Sequence, residues 1–274
     1  MPSGVPGIGA GSDLGATFAR VESEVYEQMR RVEQRHWWFV GRRAVVAAML
    51  HQVRLRPGAR ILDAGCGTGR NLAEYARLGA AVGVDASQVA LATGASPHAT
   101  AAASVEALPF RDGSFELICA TDVIEHLDDD VTALAGMRRV STQAGRLLLT
   151  VPAYQALWSE SDVQLHHRRR YTARRLRRAV TDAGWRVERM TYFNSLLLPV
   201  IAGARFQRRL RKGDDRTTEL ERTNRAADAV LRLPMLAEAR GIRAGLRFPA
   251  GVSIALLASN PTTASGDRAS RERR

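Results

Sequence analysis

The sequence predicts an α/β fold around a mostly parallel sheet, and three observations carry that prediction. Between residues 59 and 193, short apolar runs ending at Gly or Asp alternate with helical stretches, the pattern of parallel strands joined by crossover helices. A glycine-rich turn, Gly65-Cys66-Gly67-Thr68-Gly69, falls where the first strand hands over to the first helix of that series. The 274 residues, 45% hydrophobic, suffice for one large domain, or one domain with a cap. A chain of that size buries roughly 75% of its unfolded surface and needs no metal or disulfide staple.

Each element has its own reason. Residues 1–16 lack a basic stretch followed by an apolar core, so they read as a disordered leader and not as a signal peptide. Phe18, Val21, Val25, Met29 and Val32 recur at three- and four-residue steps, which describes an amphipathic helix. It runs into His36-Trp37-Trp38-Phe39 and Gly41-Arg42-Arg43, and residues 44–53 read as a second helix, so that 17–55 form an N-terminal helical cap. The core, 56–193, then takes strands at 59–64, 80–85, 101–105, 115–121, 145–151 and 185–192, with helices at 71–78 and 88–93. A further helix follows Asp128, Asp129 and Asp130, acids that suit a helix N-terminus, and another runs from Thr172 to residue 183. About 58 residues of helical character separate the sixth strand from a seventh within 251–260, against a usual connection of roughly 4–6. Residues 194–250 are therefore an insertion of the kind that makes a cap, a binding loop or a partner surface. Residues 261–274 read as a disordered tail.

The charge is uneven. Lys212 is the only lysine among 40 basic residues, and the net charge is +12. Residues 1–159 carry 15 basic and 16 acidic groups, 160–216 carry 15 and 6, and 217–274 carry 10 and 6. A basic stretch meets phosphate, nucleic acid or an anionic membrane, or is the solvated surface of an arginine-rich chain. Cys66 and Cys119 have no framework spacing and read as small buried hydrophobes. The longest apolar run, 196–204, is about half of the roughly 20 residues a bilayer span needs and contains Pro199. The expectation is a soluble cytoplasmic protein, with room for peripheral contact at the inner membrane face.

The sharpest signal is Ile61-Leu62-Asp63-Ala64-Gly65-Cys66-Gly67-Thr68-Gly69-Arg70. Glycines at 65, 67 and 69 let the backbone turn with unusual torsions and come close to a ligand. The spacing departs from the G-x-G-x-x-G of dinucleotide sites, where pyrophosphate rests on a helix N-terminus. A carboxylate two residues before the turn repels pyrophosphate, so Asp63 points to a ligand with a positive amino or sulfonium group. Twenty residues after Gly65, Asp85 ends the second strand, where an acid accepts hydrogen bonds from a ribose diol.

On these residues the chain resembles the class I S-adenosylmethionine-dependent methyltransferases. The resemblance covers roughly residues 58–193 and the last strand, and includes Leu108-Pro109-Phe110, Asp112-Gly113-Ser114-Phe115 and Asp122-Val123-Ile124-Glu125-His126. It implies a Rossmann-like seven-stranded sheet with an antiparallel last strand, and S-adenosyl-L-methionine as cofactor. It places Asp63, Gly65, Cys66 and Gly67 around the methionine portion, Gly69 among the cofactor contacts, Asp85 on the ribose and Ala86 at the adenine. Ser104 and Val105 at the third strand, and Thr121 and Asp122 at the fourth, complete the implied contacts. Ser104 stands where relatives often carry an acid for the adenine amino group. A closer resemblance, to a bacterial subgroup of type 11 methyltransferases, rests on His36-Trp37-Trp38-Phe39, Val151-Pro152-Ala153-Tyr154 with Trp158 and Asp162, His166-His167, Arg169-Arg170-Tyr171-Thr172 and Pro249-Ala250-Gly251-Val252-Ser253.

Methyl transfer from a sulfonium is an in-line displacement in which alignment supplies about 7–11 kcal/mol and a general base typically a further 10²–10⁴ in rate. For a hydroxyl acceptor, His166 or His167 is the candidate base, against packing beside Tyr171 or plain exposure. His126 follows the fourth strand with Glu125 before it. That pair supplies too few ligands for a metal, so no metal is expected and the two order the cleft wall. Trp37, Trp38 and Phe39 are candidates to close over cofactor or acceptor, with Arg42 or Arg43 reaching a carboxylate, and Trp37 and Phe39 to pin the N-terminal helices to the sheet, two roles that can coexist. Tyr154 and Trp158 join them as acceptor-side candidates.

The chain lacks the Asn- or Asp-Pro-Pro-aromatic motif of base amino methyltransferases and the Pro-Cys nucleophile of carbon methylation, which argues against nucleic acid. An apolar stretch, 192–204, edged by Arg205, Arg208, Arg209, Arg211 and Lys212, suits an anionic membrane surface, against a helical cap with its apolar face buried. The expected acceptor is a small molecule or lipid-linked metabolite. The alternatives are an RNA methyltransferase using residues 160–216 and a non-catalytic cofactor-binding regulator.

Overall fold

The structure is a computed structural model that describes residues 26–27, 30–94, 96–211 and 224–261. The expected leader, most of the first helix, residues 212–223 with Lys212, and the tail beyond residue 261 lie outside the described residues.

The first complete helix, α1, spans Trp37–Leu50. Sequence reasoning began it at residue 44, but His36 accepts from the Trp38 backbone N–H through Nδ1 at 3.3 Å. That satisfies one of the amides a helix start leaves unpaired, so the aromatic cluster forms the first turn. The core follows as β1 (Arg60–Ala64), α2 (Leu72–Tyr75), β2 (Ala80–Asp85), α3 (Gln88–Gly94), β3 (Thr100–Ala102) and β4 (Phe115–Thr121). Next come α4 (Asp130–Val140), β5 (Ser141–Pro152), α5 (Glu160–Gln164), α6 (Ala173–Asp182), β6 (Arg186–Phe193), α7 (Leu198–Arg211), α8 (Arg225–Arg243) and β7 (Ser253–Ser259). The sheet order is β3-β2-β1-β4-β5-β7-β6, with β7 antiparallel to both neighbours. The third strand is shorter than expected because Ser104 Oγ accepts from the Glu106 N–H at 3.1 Å and turns the chain.

Alternation along the strands sorts two cores. Leu62, Ile118, Leu147, Leu149, Ile254 and Leu256 meet Leu134 and Met137 of α4 and Leu176 and Val180 of α6. Their neighbours Ile61, Leu117, Cys119, Leu148, Ala255 and Leu257 meet Val45 and Met49 of α1 and Met235 and Ile242 of α8. Gly41 of α1 allows this second layer to close, since a Cβ there would lie 2.7 Å from the Met235 side chain. The N-terminal cap and the long helix of the insertion thus share one face of the sheet. Among the described residues no helix is long and apolar enough to cross a membrane.

Candidate active site

Parallel strands deliver their C-terminal ends to one edge, where ligands of open α/β sheets collect. After β1, Gly65, Gly67 and Gly69 adopt φ of +79°, +54° and +74°, torsions that favour glycine. The Gly65 and Cys66 amides both donate to the Val84 carbonyl, at 2.8 and 2.9 Å, which ties the turn to β2. A Cβ at Gly65 would strike Val123 at 2.5 Å, whereas one at Gly67 would meet nothing within 4 Å. The space beside Gly67 is therefore open to a ligand. Asp85 accepts from the Gly67 N–H at 2.7 Å and from the Ser87 N–H at 2.9 Å, and its oxygens retain lone pairs for further donors.

Asp63 lies beneath this turn, fully buried. Neither of its carboxylate oxygens has a hydrogen-bond partner among the described residues. Burial pushes its pKa up to about 7, with Arg42 opposing and Asp85 reinforcing the shift. A buried acid left without partners is costly, and a cationic ligand group beside it offsets that cost. The orphaned carboxylate and the open cradle at Gly67 fit a ligand that joins a cation to a ribose. Ala86 is exposed just beyond, Ser104 is half-buried with Oγ in its turn, and Val105 is buried.

At the end of β4, Asp122 sits at φ +57°. It accepts from Thr150 Oγ1 at 2.9 Å and pairs with the largely buried Arg42 of α1. Asn71 Nδ2 donates to Thr121 Oγ1 at 3.3 Å. The helical cap therefore reaches the site through Arg42. Arg43 donates to the Glu33 carbonyl at 2.8 Å, and the buried Glu33 carboxylate accepts from Thr68 Oγ1 at 2.7 Å. Glu33 was missed in the sequence. Its only signal was an acid among the apolar positions of the first helix, easily taken for its solvent face. Trp38 stacks on Phe193 of β6 with centroids 5.8 Å apart, and the Trp37 N–H donates to Asp228 at 3.2 Å. Both tryptophans pack against the core shared by α1, α8 and the sheet, the placement of residues that pin a helix.

The loop after β4 forms a 3₁₀ turn, Ile124–His126. Glu125 is fully buried, with no partner for either oxygen among the described residues. Burial, and then Asp122, push its pKa well up, against Arg42 and Arg170. His126 is lowered to about 4 by burial and by His167, with Asp122 pulling the other way. The two imidazoles pack edge to face, centroids 4.7 Å apart. His167 Nδ1 lies 2.8 Å from Asp162 Oδ1, and Arg170 donates twice to the same carboxylate, at 2.7 and 2.9 Å. Burial favours the neutral acid, but the bonds from His167 and Arg170 outweigh it and hold Asp162 well below the usual carboxylate range. His166, at φ +55°, is exposed, and both its backbone and its charge act on the His126 imidazole. The Glu125–His126 pair, too small a ligand set in sequence, thus gains a third donor from a loop some 40 residues on.

Part of the basic segment is occupied with structure, while Arg174, Arg175, Arg177 and Arg178 of α6 are exposed. Arg168 donates to the His126 carbonyl and pairs with Asp128, and Arg169 donates to the carbonyls of Leu127 and Asp128. Arg205, expected at a positive membrane edge, is buried and donates to the Leu157 carbonyl. Tyr154, at φ +56°, stacks on Tyr192 with centroids 5.2 Å apart, and Trp158 is half-buried at the end of a short 3₁₀ turn.

Residues 62–149 match the family described as a methyltransferase domain. An uncharacterized 37.1 kDa protein of transposon TN4556 from Streptomyces fradiae is 28% identical over 211 residues, 72% of this chain and 61% of that protein. A demethylmenaquinone methyltransferase from Beutenbergia cavernae is 34% identical over 106 residues, 37% of this chain and 44% of the relative. The chain thus spans between 44% and 61% of the length of the curated relatives it matches. A protein solved in complex with the Haloferax volcanii Trm112 methyltransferase activator superposes with a TM-score of 0.58 at 16% identity, over 89% of this chain and 97% of its own. That likeness is one of fold.

Proposed function

We propose that the whole protein, whose residues 62–149 match a methyltransferase domain, transfers a methyl group from S-adenosylmethionine to a small-molecule or lipid-linked acceptor. The observation that carries the reading is Asp63, a buried carboxylate with two unpartnered oxygens under an open glycine turn. In this reading Asp63, Gly65, Cys66, Gly67 and Gly69 surround the methionine portion, and Asp85 holds the ribose hydroxyls. Ala86, Ser104 and Val105 flank the adenine. Bound there, S-adenosylmethionine supplies an electrophilic methyl group on a sulfonium. Thr121 and Asp122 close the methionine side, Asp122 held by Thr150 and Arg42. In this reading the Asp162 carboxylate, 2.8 Å from His167 Nδ1, orients that imidazole.

Apolar side chains at the insertion support a hydrophobic acceptor. Leu196, Val200 and Phe206 at α7 and Val230 and Leu233 of α8 are more than half exposed, although water penalises such exposure at roughly 25 cal/mol per Å². Arg208, Arg209, Arg211 and Lys212 follow α7's apolar stretch in sequence, and each basic residue near an anionic bilayer is worth about 1 kcal/mol. The same reading takes this edge to the inner membrane face, and the quinone-related acceptor named for the Beutenbergia relative has the matching chemistry.

Calorimetry with S-adenosylmethionine tests the cofactor reading: one equivalent binds, and Asp85→Ala weakens it at least tenfold. Unchanged affinity in Asp85→Ala refutes the ribose assignment. Co-sedimentation tests the surface: vesicles containing anionic phosphatidylglycerol retain the protein and neutral ones do not. Equal recovery with both removes the membrane reading.

A further inference from the structure

Outside the cofactor contacts, the fold assembles a second constellation. The 3₁₀ turn after β4 presents Glu125 and His126, and the loop after α5 carries His167 to them. One carboxylate oxygen and two imidazole nitrogens lie within 4.8 Å of one another. We propose that Glu125, His126 and His167 hold a divalent first-row transition-metal ion whose open positions take an oxygen of the methyl acceptor. The site rests on geometry alone, and the acceptor role rests on the methyltransferase reading above.

Three observations support it. Glu125 is fully buried and neither oxygen has a partner among the described residues, an arrangement stable proteins rarely keep without a ligand. His167 is oriented by Asp162 through Nδ1 at 2.8 Å, the carboxylate–histidine support that aims Nε2 at a metal. Asp162 is in turn fastened by Arg170 and by the Ser159 N–H at 2.7 Å.

Two imidazoles and a carboxylate favour manganese, iron, cobalt or zinc over calcium or magnesium, which prefer all-oxygen shells. Bonds of about 2.1 Å set ligand atoms roughly 3–3.5 Å apart, so small side-chain rotations close the set on an ion. Three protein ligands leave positions open, as in catalytic sites. An acceptor hydroxyl on such an ion has a lowered pKa and yields its proton to solvent. Its oxygen pair then forms the new O–C bond while the C–S pair stays on sulfur, leaving a methyl ether and a neutral thioether. Nothing is oxidised or reduced, and no side-chain base is required.

The test uses the full chain, freed of metal by a chelator and kept without S-adenosylmethionine. Titration with Co²⁺ should give visible d–d bands that saturate at one ion per chain. His126→Ala and His167→Ala should abolish the bands. Asp162→Asn should weaken Co²⁺ affinity by about 10–100-fold, and the isosteric Glu125→Gln should weaken it at least tenfold. S-adenosylmethionine affinity, measured separately by calorimetry, should stay within about twofold of the unsubstituted protein in the two isosteric variants. Absence of saturable Co²⁺ binding by the unsubstituted protein overturns the proposal, as does unchanged affinity in both Glu125→Gln and His167→Ala. Saturable Co²⁺ binding alongside absent S-adenosylmethionine binding upholds the metal site and refutes the methyltransferase reading.

Discussion

Affinity for S-adenosylmethionine should rise about fivefold between pH 6 and pH 7, because Asp63 must ionise to receive a cation. Its pKa in the unliganded protein is about 7, so about one carboxyl in eleven is ionised at pH 6 and about half at pH 7. If only the ionised form binds well, the affinity ratio is about 5.5, or roughly 1 kcal/mol. The folded pKa lies above the ordinary carboxylate value of 3.8. The unliganded fold therefore holds a proton that the unfolded chain has lost, and this group's contribution to stability falls as pH rises from about 4 to 7. A bound cation reverses that balance and expels the proton. Calorimetry at pH 6, 6.5 and 7, in buffers of different ionisation enthalpy, should show release of about half a proton per ligand at pH 7. Asp63→Asn should bind more weakly at pH 7 and show neither the slope nor the proton. A flat profile in the unsubstituted protein, or the same slope in Asp63→Asn, would show that Asp63 is not the group that ionises on binding.

Other predictions follow from the packing and the buried imidazole. Trp38→Ala should lower stability by up to about 3 kcal/mol, since half-buried stacking on Phe193 is lost. Its S-adenosylmethionine affinity should stay within about twofold if the ring serves to pin α1 to the sheet; a large affinity loss without a change in melting would show that it also serves as a lid. His126 has a folded pKa of about 4 against 6.5 unfolded, so the fold binds fewer protons than the unfolded chain between those values. Stability should fall as pH drops from 6.5 to 4, by up to about 3 kcal/mol from this group. Urea unfolding of His126→Gln should lose that part of the pH dependence, and an unchanged profile would show that His126 is not the group responsible.

Strands β1, β2, β4 and β7 were legible because they are short, largely apolar runs with clear boundaries. The glycine turn with Asp63 and Asp85 was legible because the relevant residues are close in sequence. The start of α1 was not, since His36 caps it by a side-chain bond that no hydropathy pattern records. The arginines at 168–170 looked like free positive charge, whereas the fold spends them on Asp128, Asp162 and backbone carbonyls of facing loops. Arg205 misled for the same reason, its guanidinium being turned inward to the Leu157 carbonyl. His167 could not be joined to Glu125 and His126 from sequence, because only the chain's path through β5 and α5 brings the two loops together. Its one sequence-level trace was Asp162, five residues earlier, without any sign of what it orients.

Methyl transfer to a small or lipid-linked acceptor is open to direct assay. Its most direct measurement is incubation of the protein with methyl-labelled S-adenosylmethionine and fractionated cell extract, beside Asp85→Ala. Label should appear in a small-molecule or lipid fraction with the unsubstituted protein and be strongly reduced with Asp85→Ala. Label confined to RNA, or no transfer to any fraction by a protein that binds the cofactor, would contradict it.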